Sequence, residues 1–492
     1  MPTVLFLAHG FPPAGGSGPN RALAFARYLP MYGWRPVVLT VDERWALNCD
    51  PRLLAEVPRW LEVVRTPSFE RRPATSRGPP SPPTTPDYRR HRHTGVTRDA
   101  EKRYMERHTG ATASQFPPPR SLERHTRSFE ARLDAHARAL KAGLAWQLRA
   151  VEAGLKHHVG HARRFPDAHV GWLPLALPAG LRLARRADVV YSSSGPFTNH
   201  LVGLVLHRLL ERPWVVELRD GWYRWNRAIF PDYPVWRGPL ERRLEAAAIR
   251  GATRVVLVTD HMAEAFRRQY PKLPPGHFAV VPNGFDPLQL AHEHPEPPRR
   301  ADGFEVLHAG ALYYGRPLGP FLAAAARLVD EDPAFGKAFR LNLVGTLDAT
   351  ARAELEASPI RERVVVRSEL GHAETLAAER AADVLLLVAN TTPGAEATVP
   401  GKLFEYLAVR RPVLAVAPRG SASAEVVQRT GGGWLAIVED PHDIRRQLRT
   451  AFEAHRAGTV PRADPTELAR FDRRRQAGEL AGVLAAARRA GG

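Results

Sequence analysis

Apolar positions along this chain come in short runs that alternate with stretches of helical spacing. Thr3–Ala8 is an apolar run closed by the glycine- and proline-rich segment FPPAGGSGPNR. Ala22–Tyr32 then carries apolar residues at helical spacing, and Arg35–Thr40 is apolar again. A strand, a glycine loop, a helix and a second strand in that order predict the start of a parallel α/β sheet. The pattern resumes with strands at Asp188–Ser192, Trp214–Leu218, Arg254–Val258 and Phe278–Val281. Helices are expected at Thr198–Leu210, near Leu240–Arg250 and at Met262–Arg268.

A proline- and charge-rich stretch, Pro287–Ala301, reads as a linker. After it the alternation restarts, with strands predicted at Phe304–His308, Arg340–Val344, Arg363–Val366, Asp383–Val388, Pro412–Val416 and Trp434–Ile437. The expected fold class is α/β, with two tandem doubly wound, Rossmann-like domains. We place the first over 1–290, a linker over 291–301, the second over 302–465 and a closing helix over 466–492. No period of 20–50 residues repeats, which argues against a solenoid.

The first domain is interrupted at 67–166. The opening part, with PATSRGPPSPPTTP and FPPPR, predicts loop or disorder. From Ser121 to Val159, the residues Leu122, Phe129, Leu133, Leu140, Leu144, Leu148, Val151 and Leu155 form one helical stripe whose other side is basic. Such a stripe packs on its own domain in most proteins. A basic amphipathic helix also lies on anionic membrane surfaces, and the two readings are compatible.

Composition narrows the classes. The chain has 492 residues, 44% hydrophobic and 25% charged, as in an ordinary globular protein long enough for two or three domains. One cysteine, Cys49, excludes an intramolecular disulfide and a four-cysteine zinc site. The net charge is +19, with only 6 lysines among the 70 basic residues. Such an arginine bias often reflects base composition in the gene. Between Glu70 and Arg164 stand 20 basic and 9 acidic residues, so most of the excess sits in the insert. The insert has no basic patch interleaved with aromatics, and nucleic acid is not an expected partner. MPTVLFLAHGF lacks a basic leader region, and Val189–His207 is too polar for a membrane span. A cytoplasmic location is expected, with peripheral contact at the inner face of the membrane through 121–159 left open.

Two kinds of loop promise anion chemistry. Gly15, Gly16 and Gly18 lie between the first strand and first helix, where glycine lets backbone approach a ligand and free N–H groups attract an anion. The spacing departs from the dinucleotide fingerprint, and a plain tight turn explains it as well. In TVPGKLFEYLAVRRPVL, the residues Thr398, Val399, Pro400 and Gly401 sit where a helix starts, with Lys402 and Glu405 on one face beside that terminus. This predicts a diphosphate held by helix N–H groups and Lys402, with Glu405 accepting from two ribose hydroxyls. A capped helix with a surface ion pair is the plainer alternative. A second strand-to-helix loop, Gly310 to Arg316, adds an arginine able to grip phosphate. Two such loops favour a nucleotide site at the carboxyl edge of the sheet. Asp220, after a strand, is a candidate to orient a substrate hydroxyl or act as base, or else to cap a turn.

Taken in order, FPPAGGSGPNR, PDAHVGW, YSSSGPFTNHLVG, VVELRDGW, VVPNGFD, LHAGALYYGRP and PGKLFEYLAVRRPVL resemble the family-4 retaining glycosyltransferases of GT-B fold over nearly the whole chain. The resemblance implies two Rossmann-like domains facing across a cleft. It implies sugar transfer from a nucleotide diphosphate sugar to a glycan or lipid-linked acceptor, in cell-surface polysaccharide or glycolipid assembly. It implies no cofactor and no metal, because helix dipole, Arg316 and Lys402 neutralise the leaving diphosphate. Gly16 approaches the donor from across the cleft, with Gly18, Gly310, Thr398 and Gly401 in the same loops, and Glu405 contacts the ribose. The closing helix is expected to cross back to the first domain.

Two positions depart from the family pattern. Eight residues before Glu405, where many relatives have a second glutamate, stands Ala397, with Glu396 one residue early. Where many carry a histidine at a first-domain strand end, this chain reads SSSGP, and His200 on the next helix is expected to be structural. Ala397 motivates a competing reading, a non-catalytic GT-B scaffold.

Overall fold

The computed structural model describes residues 1–46, 48–70, 156–223, 227, 233–291, 303–313, 315–368 and 370–491. Most of the insert, and with it the stripe expected over 121–159, lies outside the described residues; 156–162 are helical. No helix among the described residues is long and apolar enough to cross a membrane.

The first sheet holds β1 (Thr3–Leu7), β2 (Arg35–Val41), β3 (Glu62–Thr66), β4 (Val189–Ser193), β5 (Trp214–Leu218), β6 (Arg254–Leu257) and β7 (Phe278–Val280). Its order is β3-β2-β1-β4-β5-β6-β7, every pair parallel. In register, Phe6 on β1 aligns with Val38 on β2 and Tyr191 on β4. Val4 to Leu7 are all fully buried, because helices cover both faces of a parallel sheet. Side chains alternate between those faces. Leu5, Leu7, Leu39, Val190 and Val216 share one core with the Leu173–Ala184 and Thr198–Leu210 helices. Val4, Phe6, Val38, Tyr191 and Val215 share the other with the Ser17–Tyr28 helix.

The second sheet holds β8 (Phe304–Ala309), β9 (Phe339–Val344), β10 (Val364–Arg367), β11 (Val384–Val388), β12 (Val413–Ala417) and β13 (Gly433–Ile437), in the order β10-β9-β8-β11-β12-β13, also parallel. Its two cores use the same alternation, Leu386 and Val416 on one face, Leu385 and Ala415 on the other. The predicted strands all form, with ends shifted by a residue at most; β3 alone had no sequence signal.

The strand order reverses beside β1 in one sheet and beside β8 in the other. Ligands bind outside the carboxyl ends of strands at such switch points. The last helix, Arg473–Ala490, leaves the second sheet and packs on the first: Leu480 and Leu484 are fully buried with Val4 and Phe6. Each such side chain contributes about 1.5–3 kcal/mol of apolar burial. The crossing is fixed by two backbone bonds, Phe285 N–H to the Phe471 carbonyl (3.0 Å) and Arg473 N–H to the Phe285 carbonyl (3.1 Å).

Candidate functional site

A cleft of about 1100 Å³ opens at the carboxyl ends of both sheets. Two helix N-termini meet in it. The Ser17–Tyr28 helix starts from Gly16, whose φ of 109° is in the region that glycine alone adopts freely. The Gly401–Ala408 helix starts from Pro400, and a Cβ on Gly401 would lie 3.6 Å from Ser17 Cβ. Neither terminus has a side-chain cap, so their first N–H groups are left to a ligand or water.

Lys402 stands on the first turn of the second of these helices and is half-buried. His308, fully buried on β8, donates from Nδ1 to the Leu386 carbonyl at 2.9 Å. That bond fixes the tautomer, so Nε2 offers its lone pair to the Lys402 ammonium at 3.2 Å. Burial and the neighbouring Lys402 hold His308 well below its usual pKa, which keeps it a neutral acceptor. Gly310 has φ 110°, a conformation that favours glycine, and a Cβ there would stand 2.7 Å from Lys402 Nζ. Burial first, and then Arg316, lower Lys402 to about 7.

Arg316 lies over the Tyr313 ring at 4.3 Å, and its Nη1 donates to the Ala311 carbonyl at 3.3 Å. Its Nε is buried without a partner. Arg473, first residue of the crossing helix, is 5% exposed, and its Nε and Nη1 are likewise buried and unpaired. A guanidinium so placed leaves charge and donors unsatisfied unless an anion enters the cleft. Beside the cations stand Glu405 and Asp220. Burial raises the Asp220 carboxyl above the usual range against the pull of Arg219 and Arg316. Asp220 accepts no hydrogen bond among the described residues, so it does not cap a turn there. Glu379, buried under Lys402 and Glu405, has its carboxyl pushed well up by burial and by Glu405.

Of the residues singled out in the sequence, Gly16, Asp220, Arg316, Thr398, Gly401, Lys402 and Glu405 line the cleft. Gly310 sits behind Lys402. Gly18 does not face the cleft: a Cβ on it would meet the Arg219 guanidinium at 2.6 Å, so it makes room for that side chain. Glu396 is exposed and accepts from the Gly394 N–H at 2.7 Å, and it does not replace the missing glutamate. The Ala397 carbonyl accepts from Thr259 Oγ1 at 2.6 Å. His200 is fully buried with Nδ1 2.8 Å from Ser192 Oγ, a core histidine. Sequence reasoning missed Arg473, His308, Arg219 and Glu379. Only the first had a usable signal, its place at the start of the predicted closing helix.

The sequence shows no metal-binding spacing, yet the fold collects one ligand-type cluster among the described residues, His9, Glu70 and His169. None of the three lines the cleft.

Residues 87–284 match the family described as glycosyl transferase 4-like domain. No curated protein matches the chain. Among solved structures it is similar to HepE of Anabaena, crystallised with UDP, at 14% identity over 99% of this chain and 100% of that one, with a TM-score of 0.58. HepE is also solved with UDP-glucose. It is similar to sucrose-phosphate synthase from Thermosynechococcus elongatus at 15% identity over 100% and 97%, with a TM-score of 0.51. At these identities the likeness is one of fold, two Rossmann-like sheets in the GT-B arrangement.

Proposed function

We propose that this chain, whose residues 87–284 match the glycosyl transferase 4-like domain, is a family-4-like glycosyltransferase of GT-B fold that moves a sugar from a nucleotide diphosphate sugar to an acceptor with retention of configuration. The observation that carries this reading is the convergence of Arg316, Lys402 and Arg473 on the uncapped Gly401 helix terminus in one cleft. Breaking the bond between sugar and phosphate builds negative charge on the diphosphate. Fixed cations and helix N–H groups that match the developing charge lower the barrier. In this scheme those groups neutralise the leaving diphosphate without a metal.

Glu405, one turn along the same helix, accepts from the ribose hydroxyls. Gly16 lets the first-sheet backbone approach the donor. Asp220, unpaired among the described residues and beside Arg316, orients the acceptor hydroxyl. The UDP and UDP-glucose held by HepE support a nucleotide diphosphate sugar as the donor class. The acceptor we propose is a glycan or lipid-linked sugar of the cell surface, in keeping with the family resemblance.

The test is a panel of UDP-, GDP- and ADP-sugars with the purified chain. Binding and slow hydrolysis of at least one is expected; neither binding nor turnover with any of them overturns the reading. Ala397, with Glu396 turned to Gly394, favours the second reading of a non-catalytic scaffold. Tight donor binding without hydrolysis, and without transfer to any glycan or lipid acceptor, selects it.

A further inference from the structure

Away from the cleft, at the end of β1, three side chains point at one another. The ligating atoms of His9, Glu70 and His169 all lie within 4.8 Å. Glu70 Oε2 is 3.0 Å from His169 Nδ1, and Glu70 Oε1 is 3.5 Å from His9 Nε2. The two imidazoles lie side by side, ring centroids 4.3 Å apart. His9 is 4% exposed, and its buried Nε2 makes no hydrogen bond.

From this geometry we propose that His9, Glu70 and His169 form a binding site for a divalent cation of the zinc type. Around zinc, nitrogen ligands sit at 2.0–2.1 Å and carboxylate oxygens at 2.0–2.2 Å, which puts tetrahedral neighbours about 3.4 Å apart. The observed 3.0 and 3.5 Å, one from each carboxylate oxygen, are near that value, and one ligating atom from each of the three residues lies within 4.8 Å of the others. The buried His9 Nε2 has only the 3.5 Å approach of Glu70 Oε1; a cation engages it together with the other two ligands. Two imidazoles and one carboxylate suit zinc and its neighbours in the first transition row, and three protein ligands leave a fourth position for water.

The surroundings hold the ligands still, as second-shell partners do in metal sites. The His9 backbone is pinned on both sides, its N–H to Asn199 Oδ1 at 3.1 Å and its carbonyl to Thr40 Oγ1 at 2.9 Å. Ser68 Oγ donates to Glu70 Oε1 at 2.8 Å, and Trp45 Nε1 donates to the Glu70 carbonyl at 3.1 Å. The His169 N–H donates to Asp167 Oδ1 at 2.9 Å, and Asp167 is held in turn by Thr198. Glu70 and His169 are 99 positions apart in the chain. A bound cation therefore ties these two distant positions to the loop after β1.

The test uses tag-free, full-length protein stripped by chelator and titrated with Co²⁺, whose visible bands report coordination, then with Zn²⁺. We expect one equivalent of Co²⁺ with bands of low coordination number, displaced by Zn²⁺, and a Zn²⁺-dependent rise in melting temperature. Glu70→Gln, which keeps the shape, is expected to weaken Co²⁺ binding at least about tenfold and to remove the thermal response. His9→Ala and His169→Ala should do the same; if either fails to fold, Glu70→Gln decides. The proposal is overturned if wild type takes up no more Co²⁺ than Glu70→Gln, or if Zn²⁺ stabilises both equally. Because none of the three residues lines the donor cleft, either result leaves the glycosyl-transfer reading to its own test.

Discussion

Lys402 is the residue whose chemistry is most exposed to experiment. Its ammonium sits against His308 with Arg316 nearby, and burial with that neighbouring cation lowers it to about 7. If the donor's diphosphate needs a charged lysine, affinity is full below pH 7 and falls as the pH rises through it. The sign follows from a lowered cationic pKa that the incoming anion raises again. Between pH 6.5 and 8.5 the charged fraction of a group of pKa 7 falls about 25-fold, equivalent to about 2 kcal/mol of binding. The assay is calorimetric titration of an intact nucleotide-sugar, whose diphosphate does not titrate in this range. Wild type should weaken up to about 25-fold across the window. Lys402→Met should bind weakly and without pH dependence. Lys402→Arg, always charged, should also lose the pH dependence. A wild-type affinity flat from pH 6.5 to 8.5 alongside a weakened Lys402→Met would refute the reasoning, because the ammonium would then be charged throughout.

Other consequences are as direct. Arg473→Met should weaken donor binding about 10–100-fold yet raise the melting temperature of the unliganded protein, since it removes a buried charge with two unpaired donors; a lower melting temperature contradicts that account of Arg473. Glu405→Ala should raise the donor Kd about tenfold or more, with a smaller loss for a 2′-deoxyribose donor; equal losses for both sugars move the ribose contact elsewhere. Cys49 is the only cysteine, is exposed and lines the cleft. Its alkylation should slow when donor is bound, measured by mass spectrometry, and an unchanged rate argues against occupation of that end of the cleft.

Much of this was legible in the chain, and the gaps have physical causes. Buried parallel strands read as apolar runs because both faces are covered, so β1, β8 and β11 announce themselves. β3, Glu62-Val63-Val64-Arg65-Thr66, did not: it lies at the sheet edge, pairs only with β2, and is mostly half-exposed, so charge at two of its five positions is tolerated. The Gly401 helix terminus was readable because a helix start concentrates its signals locally. His308 was hidden inside an apolar run, and its meaning depends on Lys402, 94 positions away. Gly18 misled because a glycine that admits a ligand and one that admits an arginine look alike in sequence. The His9, Glu70 and His169 cluster had no spacing to find, since the fold alone assembles it.

The central claim is that one cleft grips the donor's diphosphate through Arg316 and Lys402. The most direct measurement is the affinity of the preferred nucleotide-sugar for wild type and for the double variant Arg316→Ala, Lys402→Ala, at pH 6.5 where the lysine is charged. The account predicts a loss of at least about 100-fold, since each hydrogen-bonded charge contributes about 1.5–3 kcal/mol. An affinity within threefold of wild type, in a variant that melts normally, would contradict it.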